Sequence, residues 1–231
     1  LSRPRFWLYQ GGPVVVAVAY AADGPGELFS PLAVALFLYF TIPANVFLYG
    51  VNDIFDRDID QVNPKKDEGR EVSYRGDRVV VAAIVASGLL AAGFLPFLPV
   101  LGVVALLAWA ALSVEYSAPP LRFKTKPFLD SLSNGLYILP GVVAYAAIEG
   151  IAPPASAVAG AWLWTMGMHT FSAIPDIEPD REAGIETTAT FLGESNTYYY
   201  CVMSWLSAAF VFTYTHWFFG LLLLVYPGLV F

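Results

Sequence analysis

Long apolar runs separated by short polar stretches dominate this chain of 231 residues. About eight runs can be distinguished, at residues 6–22, 31–52, 79–96, 98–116, 128–148, 155–175, 196–213 and 216–231. Each approaches the ~20 residues that an α-helix needs to cross the ~30 Å hydrocarbon core of a bilayer. A transmembrane β-barrel would instead show short segments of alternating polarity. The pattern therefore predicts an all-α fold, a polytopic transmembrane bundle of about eight helices.

The basic residues divide unevenly between the two predicted sides of the membrane. All twelve Lys and Arg lie at the N-terminus or in the connections after the second, fourth and sixth runs. With eight spans these positions share one side, and the positive-inside rule makes that side cytoplasmic. We therefore expect an integral protein of the cell membrane whose N-terminus and basic loops face the cytoplasm.

The overall composition argues against a soluble domain. Hydrophobic residues make up 57% of the chain and charged residues 13%, whereas soluble domains carry roughly 25% charged residues. The formal net charge is −7, and a diffusely acidic surface adapted to high salt is one interpretation of it. Much of the acidity, however, is concentrated in two short segments that follow the second and sixth runs.

The first acidic segment covers residues 52–60. At about 100° per helical residue, Asp53, Asp56 and Asp60 share one helix face, with Asn52 beside them. Asp58 points away from that face. The segment thus predicts a row of oxygen ligands at the cytoplasmic end of the second span.

The second acidic segment covers residues 176–184. Asp176 and Asp180 are four residues apart and stack on one helix face, and Gly184 is the next position along it. Glu178 and Glu182 fall on other faces. A second row of carboxylates is therefore predicted after the sixth span.

Rows of carboxylates beside hydrocarbon need a positive partner, because like charges repel and charge burial is costly. A solvated acidic loop is the simpler interpretation of either row alone. Oxygen donors without Cys or His partners suit Mg²⁺ or Ca²⁺, and Mg²⁺ is commonly held by one or two carboxylates together with substrate phosphates. The two rows together predict a clamp for Mg²⁺ ions that bridge a diphosphate.

Three basic residues fit the same interpretation. Arg70 follows the first acidic segment by ten residues, and Arg122 and Lys124 lie in the connection after the fourth run. Arg and Lys bind the phosphate oxygens that metal ions leave uncovered. Ordinary cytoplasmic positive charge is the alternative explanation for these cations.

At this point the chain resembles the UbiA superfamily of intramembrane prenyltransferases. The resemblance is carried by Asn-Asp-x-x-Asp-x-x-x-Asp at 52–60, Tyr-Ser-x-Pro-Pro-Leu-Arg-x-Lys at 116–124 and Asp-x-x-x-Asp-x-x-x-Gly at 176–184. It implies a helical bundle with a central cavity, cytoplasmic cap loops and a lateral opening to lipid. Since many members have a ninth helix, it also implies a single prenyltransferase domain over residues 1–231 that is incomplete at its C-terminus.

The resemblance further implies an enzyme that transfers an isoprenoid from its diphosphate to a lipophilic acceptor, with Mg²⁺ as cofactor. The carboxylates expected to be essential for catalysis are Asp53, Asp56, Asp60, Asp176 and Asp180. The implied metal ligands are Asn52 and these five aspartates, and the implied diphosphate contacts are Asn52, Arg70, Tyr116, Arg122 and Lys124. Membrane lipid is an expected partner, whereas neither nucleic acid nor an obligatory protein partner is indicated.

Within the superfamily, the segments at 2–7 and 63–71 look most like those of haloarchaeal lycopene elongases. That resemblance implies transfer from dimethylallyl diphosphate to lycopene, towards C50 carotenoids. Quinone precursors, chlorophyllide and archaeal glycerol ether lipids are alternative acceptors. A divalent-cation transporter is an alternative of another class, which predicts acids at the bilayer midplane. His169, two helical turns before Asp176, is a further candidate for a cavity residue.

Overall fold

The computed structural model describes residues 3–56, 76–228 and 230, and the regular structure in this part of the chain is entirely helical. The α-helices, in chain order, are α1 (Trp7–Ala21), α2 (Pro25–Leu28), α3 (Pro31–Thr41), α4 (Pro43–Phe55), α5 (Arg78–Ala92), α6 (Val100–Glu115), α7 (Leu129–Leu132), α8 (Leu139–Glu149), α9 (Ala155–Ser172), α10 (Ile177–Glu182), α11 (Thr188–Leu192), α12 (Glu194–Phe212), α13 (Trp217–Leu223) and α14 (Val225–Gly228). Short 3₁₀ turns cover Pro4–Phe6, Leu95–Phe97, Phe123–Thr125, Ser133–Tyr137 and Ile174–Asp176. Every predicted apolar run coincides with helix, so the prediction of an all-α fold is confirmed.

Several predicted spans consist of more than one helix. The second run is divided between α3 and α4 at Ile42, because Pro43 has no N–H to continue the α3 hydrogen-bond ladder and restricts the residue before it. The fifth run contains α7, a 3₁₀ turn and α8, and the eighth contains α13 and α14. Periodicity alone does not locate such breaks, since the apolar pattern continues across them.

The outer surface of the described helices is strongly apolar. Val100 is 82% exposed, Val79 75% and Val16 70%, which a water-facing surface would disfavour. Among the described residues, the stretches Pro25–Phe55, Arg78–Phe97 and Leu129–Glu149 are long and apolar enough to cross a bilayer, and Val100–Glu115 and Trp217–Gly228 are shorter apolar helices. Contact with lipid explains the exposed apolar side chains. It also suits helices, because their backbone polar groups are satisfied within each helix.

The chain divides into two compact units, Leu1–Leu121 with Leu139–Ala152, and Arg122–Ile138 with Pro153–Phe231. In the first unit, α1 packs against α3 and α8, α6 packs against α8, and α4 packs against α5. Its centre is an aromatic cluster in which the fully buried Trp109 ring lies 5.3 Å from Phe40 and 5.7 Å from Phe47. Such ring pairs contribute about 0.5–1.5 kcal/mol each beyond area burial. This packing fixes α4, which carries the start of the first acidic segment.

In the second unit, α9 packs along α12, and glycines on α9 allow a close approach. A Cβ at Gly160 would lie 2.5 Å from Cδ2 of Phe212, and one at Gly167 would lie 2.5 Å from Nε1 of Trp205. Small residues are common at helix contacts in membranes because they let large partners pack against the backbone. The end of α9 leads directly into the second acidic segment.

Candidate active site

The first acidic segment begins in the last turn of α4. Asp53 and Asp56 are both buried, with 6% and 7% of their surface exposed, and Asn52 is half-buried. Asp56 is the C-cap of α4, and its backbone N–H donates to the carbonyl of Asn52 at 2.9 Å. Two carboxylates buried within one turn of helix are costly without nearby positive charge. The burial therefore indicates positive charge close to these carboxylates, and their role as metal ligands stays a prediction.

Arg3 provides one such positive charge. Its Nη2 donates to Oδ1 of Asp53 at 2.8 Å, and its guanidinium lies 4.8 Å from the ring centroid of Tyr49. The backbone N–H of Arg3 also donates to Oδ1 of Asn45 at 2.8 Å. Phe6 stacks on Tyr49 at 5.4 Å, so the N-terminal segment is held on α4 by polar and aromatic contacts. Sequence reasoning did not identify Arg3, because its partner is fifty residues away along the chain.

Asn52 is hydrogen-bonded to a residue in the connection that follows α6. Ser117 Oγ donates to Oδ1 of Asn52 at 2.7 Å, and Ser117 is 1% exposed. The preceding residue, Tyr116, is the C-cap of α6, and its backbone N–H donates to the carbonyl of Leu112 at 2.9 Å. Ser117 thus contacts the first acidic segment directly, and the implied diphosphate contact of Tyr116 stays a prediction.

Two predicted site residues, Asp60 and Arg70, lie outside the described residues, so their placement stays a prediction. Among residues 3–56 and 76–228, no group of three or more His, Cys, Asp or Glu side chains is arranged to hold a metal ion. Asn52, Asp53 and Asp56 nevertheless provide an all-oxygen donor set with buried carboxylates, which suits a hard cation. These donors fit a Mg²⁺ ion that takes its remaining ligands from substrate phosphates and water, as this ion usually does.

The second acidic segment lies at the end of α9. Asp176 closes a 3₁₀ turn and is the N-cap of α10, and Asp180 lies in the middle of that helix. Both aspartates are half-buried, whereas Glu178 and Glu182 are exposed. The two aspartates thus differ in exposure from the two glutamates, and the predicted sharing of one helix face by Asp176 and Asp180 stays a prediction.

Gly184 ends the second acidic segment in a left-handed backbone conformation, which glycine adopts more readily than other residues. Its φ is +67°, and its N–H donates to the carbonyl of Arg181 at 3.1 Å, which terminates α10. Ile185 N–H then donates to the carbonyl of Asp180 at 2.8 Å. The glycine of the motif thus ends the helix that carries Asp180, a role that the face-sharing prediction missed.

Arg122 and Lys124 lie in the loop that leads into α7, in the same unit as Asp176 and Asp180. Arg122 has φ 43° and ψ 59°, a left-handed conformation that costs a non-glycine residue about 1–2 kcal/mol. Its carbonyl accepts from the backbone N–H of Thr125 at 3.1 Å and from its hydroxyl at 3.0 Å. Strained backbone of this kind clusters at ligand-binding positions. The strain is consistent with the predicted role of Arg122.

A buried carboxylate that sequence reasoning missed lies just after this loop. Asp130, in α7, is 1% exposed. Its Oδ2 accepts from the backbone N–H of Thr188 at 2.9 Å, and its Oδ1 accepts from the Thr188 hydroxyl. His169 Nε2 lies 4.0 Å from the same Oδ2, with 23% of the histidine side chain exposed. The signal in the sequence was a lone acid inside an apolar run, which is a functional candidate by default.

Hydroxyl groups extend this polar network. Ser131 Oγ is hydrogen-bonded to the Tyr200 hydroxyl at 2.9 Å, and Thr170 Oγ1 donates to Ser131 Oγ at 2.9 Å. Trp162 Nε1 donates to the carbonyl of Leu132 at 2.8 Å. The short α7 is thus attached to both α9 and α12 by hydrogen bonds between polar groups that lie within an apolar unit.

The fold and these residues define a class of protein: an all-α membrane protein whose buried and half-buried carboxylates follow two of its spans, accompanied by cations. The sequence model of the UbiA prenyltransferase family matches residues 12–231. The chain belongs to this family, and it is a membrane-embedded prenyltransferase.

Individual relatives agree with this assignment. The chain is 83% identical to a lycopene elongase/hydratase of Haloarcula japonica, over the whole of this chain and 79% of the relative. It is 62% identical to a lycopene elongase/hydratase of Haloferax volcanii, over the whole of this chain and 76% of the relative. The fold is similar to that of a UbiA homolog from Archaeoglobus fulgidus bound to DMAPP and Mg²⁺, with a TM-score of 0.77 and 20% identity, over 99% of this chain and 82% of the other.

Proposed function

We propose that the chain transfers a five-carbon unit from dimethylallyl diphosphate to lycopene, with Mg²⁺ as cofactor, in the synthesis of C50 carotenoids. The observation that carries this proposal is the 83% identity, over the full length of the chain, to a lycopene elongase/hydratase. The Archaeoglobus homolog with DMAPP and Mg²⁺ supports the same donor and ion. The two haloarchaeal relatives support the acceptor.

The proposed roles follow the chemistry of each side chain. Asn52, Asp53, Asp56, Asp60, Asp176 and Asp180 are the proposed metal ligands, and Asn52, Arg70, Tyr116, Arg122 and Lys124 are the proposed diphosphate contacts. A bound Mg²⁺ would neutralise negative charge that develops on the leaving diphosphate. The cationic side chains would hold the diphosphate in place before and after the bond to carbon breaks.

The reaction balances without a further oxidant or reductant. The C–O bond of the donor breaks, and its electron pair leaves with the diphosphate. The allylic carbon then forms a C–C bond with the π electrons of an acceptor double bond. The resulting acceptor cation loses a proton, or it takes up the oxygen of water, which in turn releases a proton. The apolar spans around the site would limit access of water to the cation.

We also propose that the acidic segments face the cytoplasm, where soluble allylic diphosphates are available. All twelve Lys and Arg residues lie on one predicted side of the membrane, and the positive-inside rule assigns that side to the cytoplasm. Labelling of single cysteines placed at exposed loop positions, in intact cells and in lysed cells, tests this orientation. Labelling of Glu182→Cys in intact cells by an impermeant reagent would contradict it.

Expression in a lycopene-producing bacterial host, followed by mass analysis of the pigments, tests the proposed function. We expect pigments heavier than lycopene by one or two C₅H₈ units, with or without added water. Asp180→Asn should abolish the new pigments, because it removes a proposed ligand charge. Glu182→Gln, an exposed acid on the same helix, should leave them unchanged.

Two outcomes would distinguish an error in the proposed acceptor from an error in the proposed site. If lycopene stays unmodified while purified protein prenylates a quinone precursor, chlorophyllide or a glycerol ether lipid, the carotenoid assignment is wrong and only the acceptor changes. If Asp180→Asn is fully active in the same host, the proposed role of the second acidic segment is wrong.

A further inference from the structure

Asp130 and Thr188 form a buried polar contact that joins two distant segments of the second unit. Thr188 is the first residue of α11 and is fully buried, and it gives both its N–H and its hydroxyl hydrogen to one carboxylate, 58 residues away in sequence. Both oxygens of Asp130 are thereby engaged. The contact constrains position and orientation together, because two hydrogen bonds in different directions fix the carboxylate plane.

Stability alone is a weak explanation for this contact. A carboxylate removed from water loses several kcal/mol of solvation, and apolar replacements of buried polar groups are often neutral or stabilising. The nearest neighbours of Asp130 are polar, because Thr188 donates to it and Ser131, Thr170 and His169 lie in the same network, so the carboxylate belongs to a connected set of hydrogen bonds. A buried charge retained in such a setting suggests a requirement for exact placement of the segments that it joins.

One of these segments is the basic loop. The Thr188 hydroxyl oxygen, besides donating to Asp130, accepts from the backbone N–H of Phe128 at 2.7 Å. Phe128 ends the loop that starts at Arg122, and both residues have positive φ, 67° and 43°. The loop that carries Arg122 and Lys124 is therefore held at its far end by Thr188.

The other segment is the second acidic row. Thr188 opens α11, and Thr187 and Thr190 form a reciprocal capping box at its start. The carbonyl of Thr190 accepts from Nη2 of Arg181 at 3.1 Å, and Arg181 follows Asp180 directly in α10. A chain of direct contacts thus leads from Asp130 through α11 to the helix that carries Asp180.

We propose that Asp130 and Thr188 are positioning residues, which fix the diphosphate-binding loop of Arg122 and Lys124 relative to the second acidic row. The inference rests on the proposed function for the roles of those side chains. It adds that a carboxylate and a hydroxyl, neither of which belongs to the proposed ligand set, determine the affinity for the diphosphate donor. The hydroxyl is essential because it donates to Asp130 and accepts from Phe128 at the same time.

The decisive comparison is Thr188→Val against Thr188→Ser. Valine has nearly the shape of threonine but can neither donate nor accept, whereas serine retains both functions. The measurement is binding of an unreactive thiolo analogue of dimethylallyl diphosphate to the full chain in detergent with Mg²⁺, together with KM values for donor and acceptor. We expect Thr188→Val to weaken analogue binding and raise the donor KM about tenfold, the effect of losing hydrogen bonds to a charged group. Thr188→Ser should keep both values close to those of the wild type. The acceptor KM should stay unchanged in both variants.

A second pair of variants tests the contact between α10 and α11. These residues lie at the protein surface, where a substitution disturbs folding less. Arg181→Gln removes the contact with Thr190, and Glu178→Gln removes only the exposed ion pair between Glu178 and Arg181, at 2.8 Å. Arg181→Gln should raise the donor KM about threefold, in the range of one partly exposed hydrogen bond. Glu178→Gln should leave the donor KM unchanged.

A control for general loss of packing is available in the same unit. Ser156 Oγ and Thr215 Oγ1 are hydrogen-bonded at 2.6 Å, near the start of α9 and after the end of α12. Ser156→Ala should lower thermal stability without any change in analogue binding. If Thr188→Val behaves in the same way, with lower stability and unchanged analogue affinity, the positioning role is wrong. If wild-type protein fails to bind the analogue, the proposed function itself is wrong.

Discussion

Replacing Arg3 with glutamine changes the charge around the first acidic segment without removing any proposed ligand. In the structure, Arg3 Nη2 contacts Oδ1 of Asp53 at 2.8 Å. Asp53 is also a proposed metal ligand, so a divalent ion that binds this oxygen must compete with the guanidinium. We therefore expect Arg3→Gln to increase the affinity of the protein for divalent metal ions.

The size of the effect follows from the burial of the pair. The side chains of Arg3 and Asp53 are 19% and 8% exposed, between the surface and interior cases. Exposed pairs contribute about 0–1 kcal/mol, and loss of one partner of a buried pair costs about 3–5 kcal/mol. An intermediate coupling of about 1–2 kcal/mol corresponds to a change of about five- to thirty-fold in the metal dissociation constant.

The assay is a titration of Mn²⁺, a spectroscopically visible substitute for Mg²⁺, into purified full-length chain in the presence of the unreactive diphosphate analogue. Arg5→Gln is the matched control, because Arg5 lies two residues away and its guanidinium covers the Phe6 ring at 4.6 Å. We expect tighter Mn²⁺ binding in Arg3→Gln only. Equal shifts in both variants would indicate a general charge effect, and weaker binding in Arg3→Gln would show that Arg3 assists metal binding. Either result would refute the competition.

Two further predictions concern single side chains. Ser117→Ala removes the hydroxyl that donates to Asn52 at 2.7 Å. Metal affinity in the same Mn²⁺ titration should therefore fall about fivefold, which corresponds to about 1 kcal/mol. Ser113→Ala loses a contact with the carbonyl of Trp109 in its own helix and should leave metal affinity unchanged. Gly135→Ala should lower the free energy of unfolding by about 1–3 kcal/mol, because the new Cβ would lie 1.8 Å from Cε2 of Trp162. Gly12→Ala, whose new Cβ would have nothing within 4 Å, should be neutral or stabilising. Equal melting temperatures for the two variants would contradict this packing.

Much of the fold could be predicted from the apolar runs, since a helix is one of two structures that satisfy the backbone within a bilayer. Interruptions were harder to predict. Pro43 follows Ile42 inside an unbroken apolar pattern, and the chain there changes from α3 to α4. The 3₁₀ turn at Ser133–Tyr137 has no comparable sequence signal, because its geometry depends on packing with α9.

The candidate site was predictable where its residues are close in sequence. Asp53 and Asp56, or Asp176 and Asp180, are recognisable as candidates from spacing alone, since each pair lies at one end of a helix. Contacts made across the sequence were missed. Arg3 approaches Asp53 only because Phe6 packs on Tyr49 and aligns the N-terminal segment on α4.

The two acidic segments receive their support in different ways, and this difference has consequences for mutation. In the first unit, Asp53 and Asp56 are buried at the end of a helix packed on an aromatic cluster, so packing supports their positions together with the contact from Arg3. In the second unit, Asp180 lies half-buried on a helix of six residues, which is too short to be stable by itself. The hydrogen bonds from Arg181 to α11, and from α11 to Asp130, therefore contribute to its position. Loss of polar contacts should accordingly impair the second segment more than the first, whereas loss of aromatic packing should have the opposite effect.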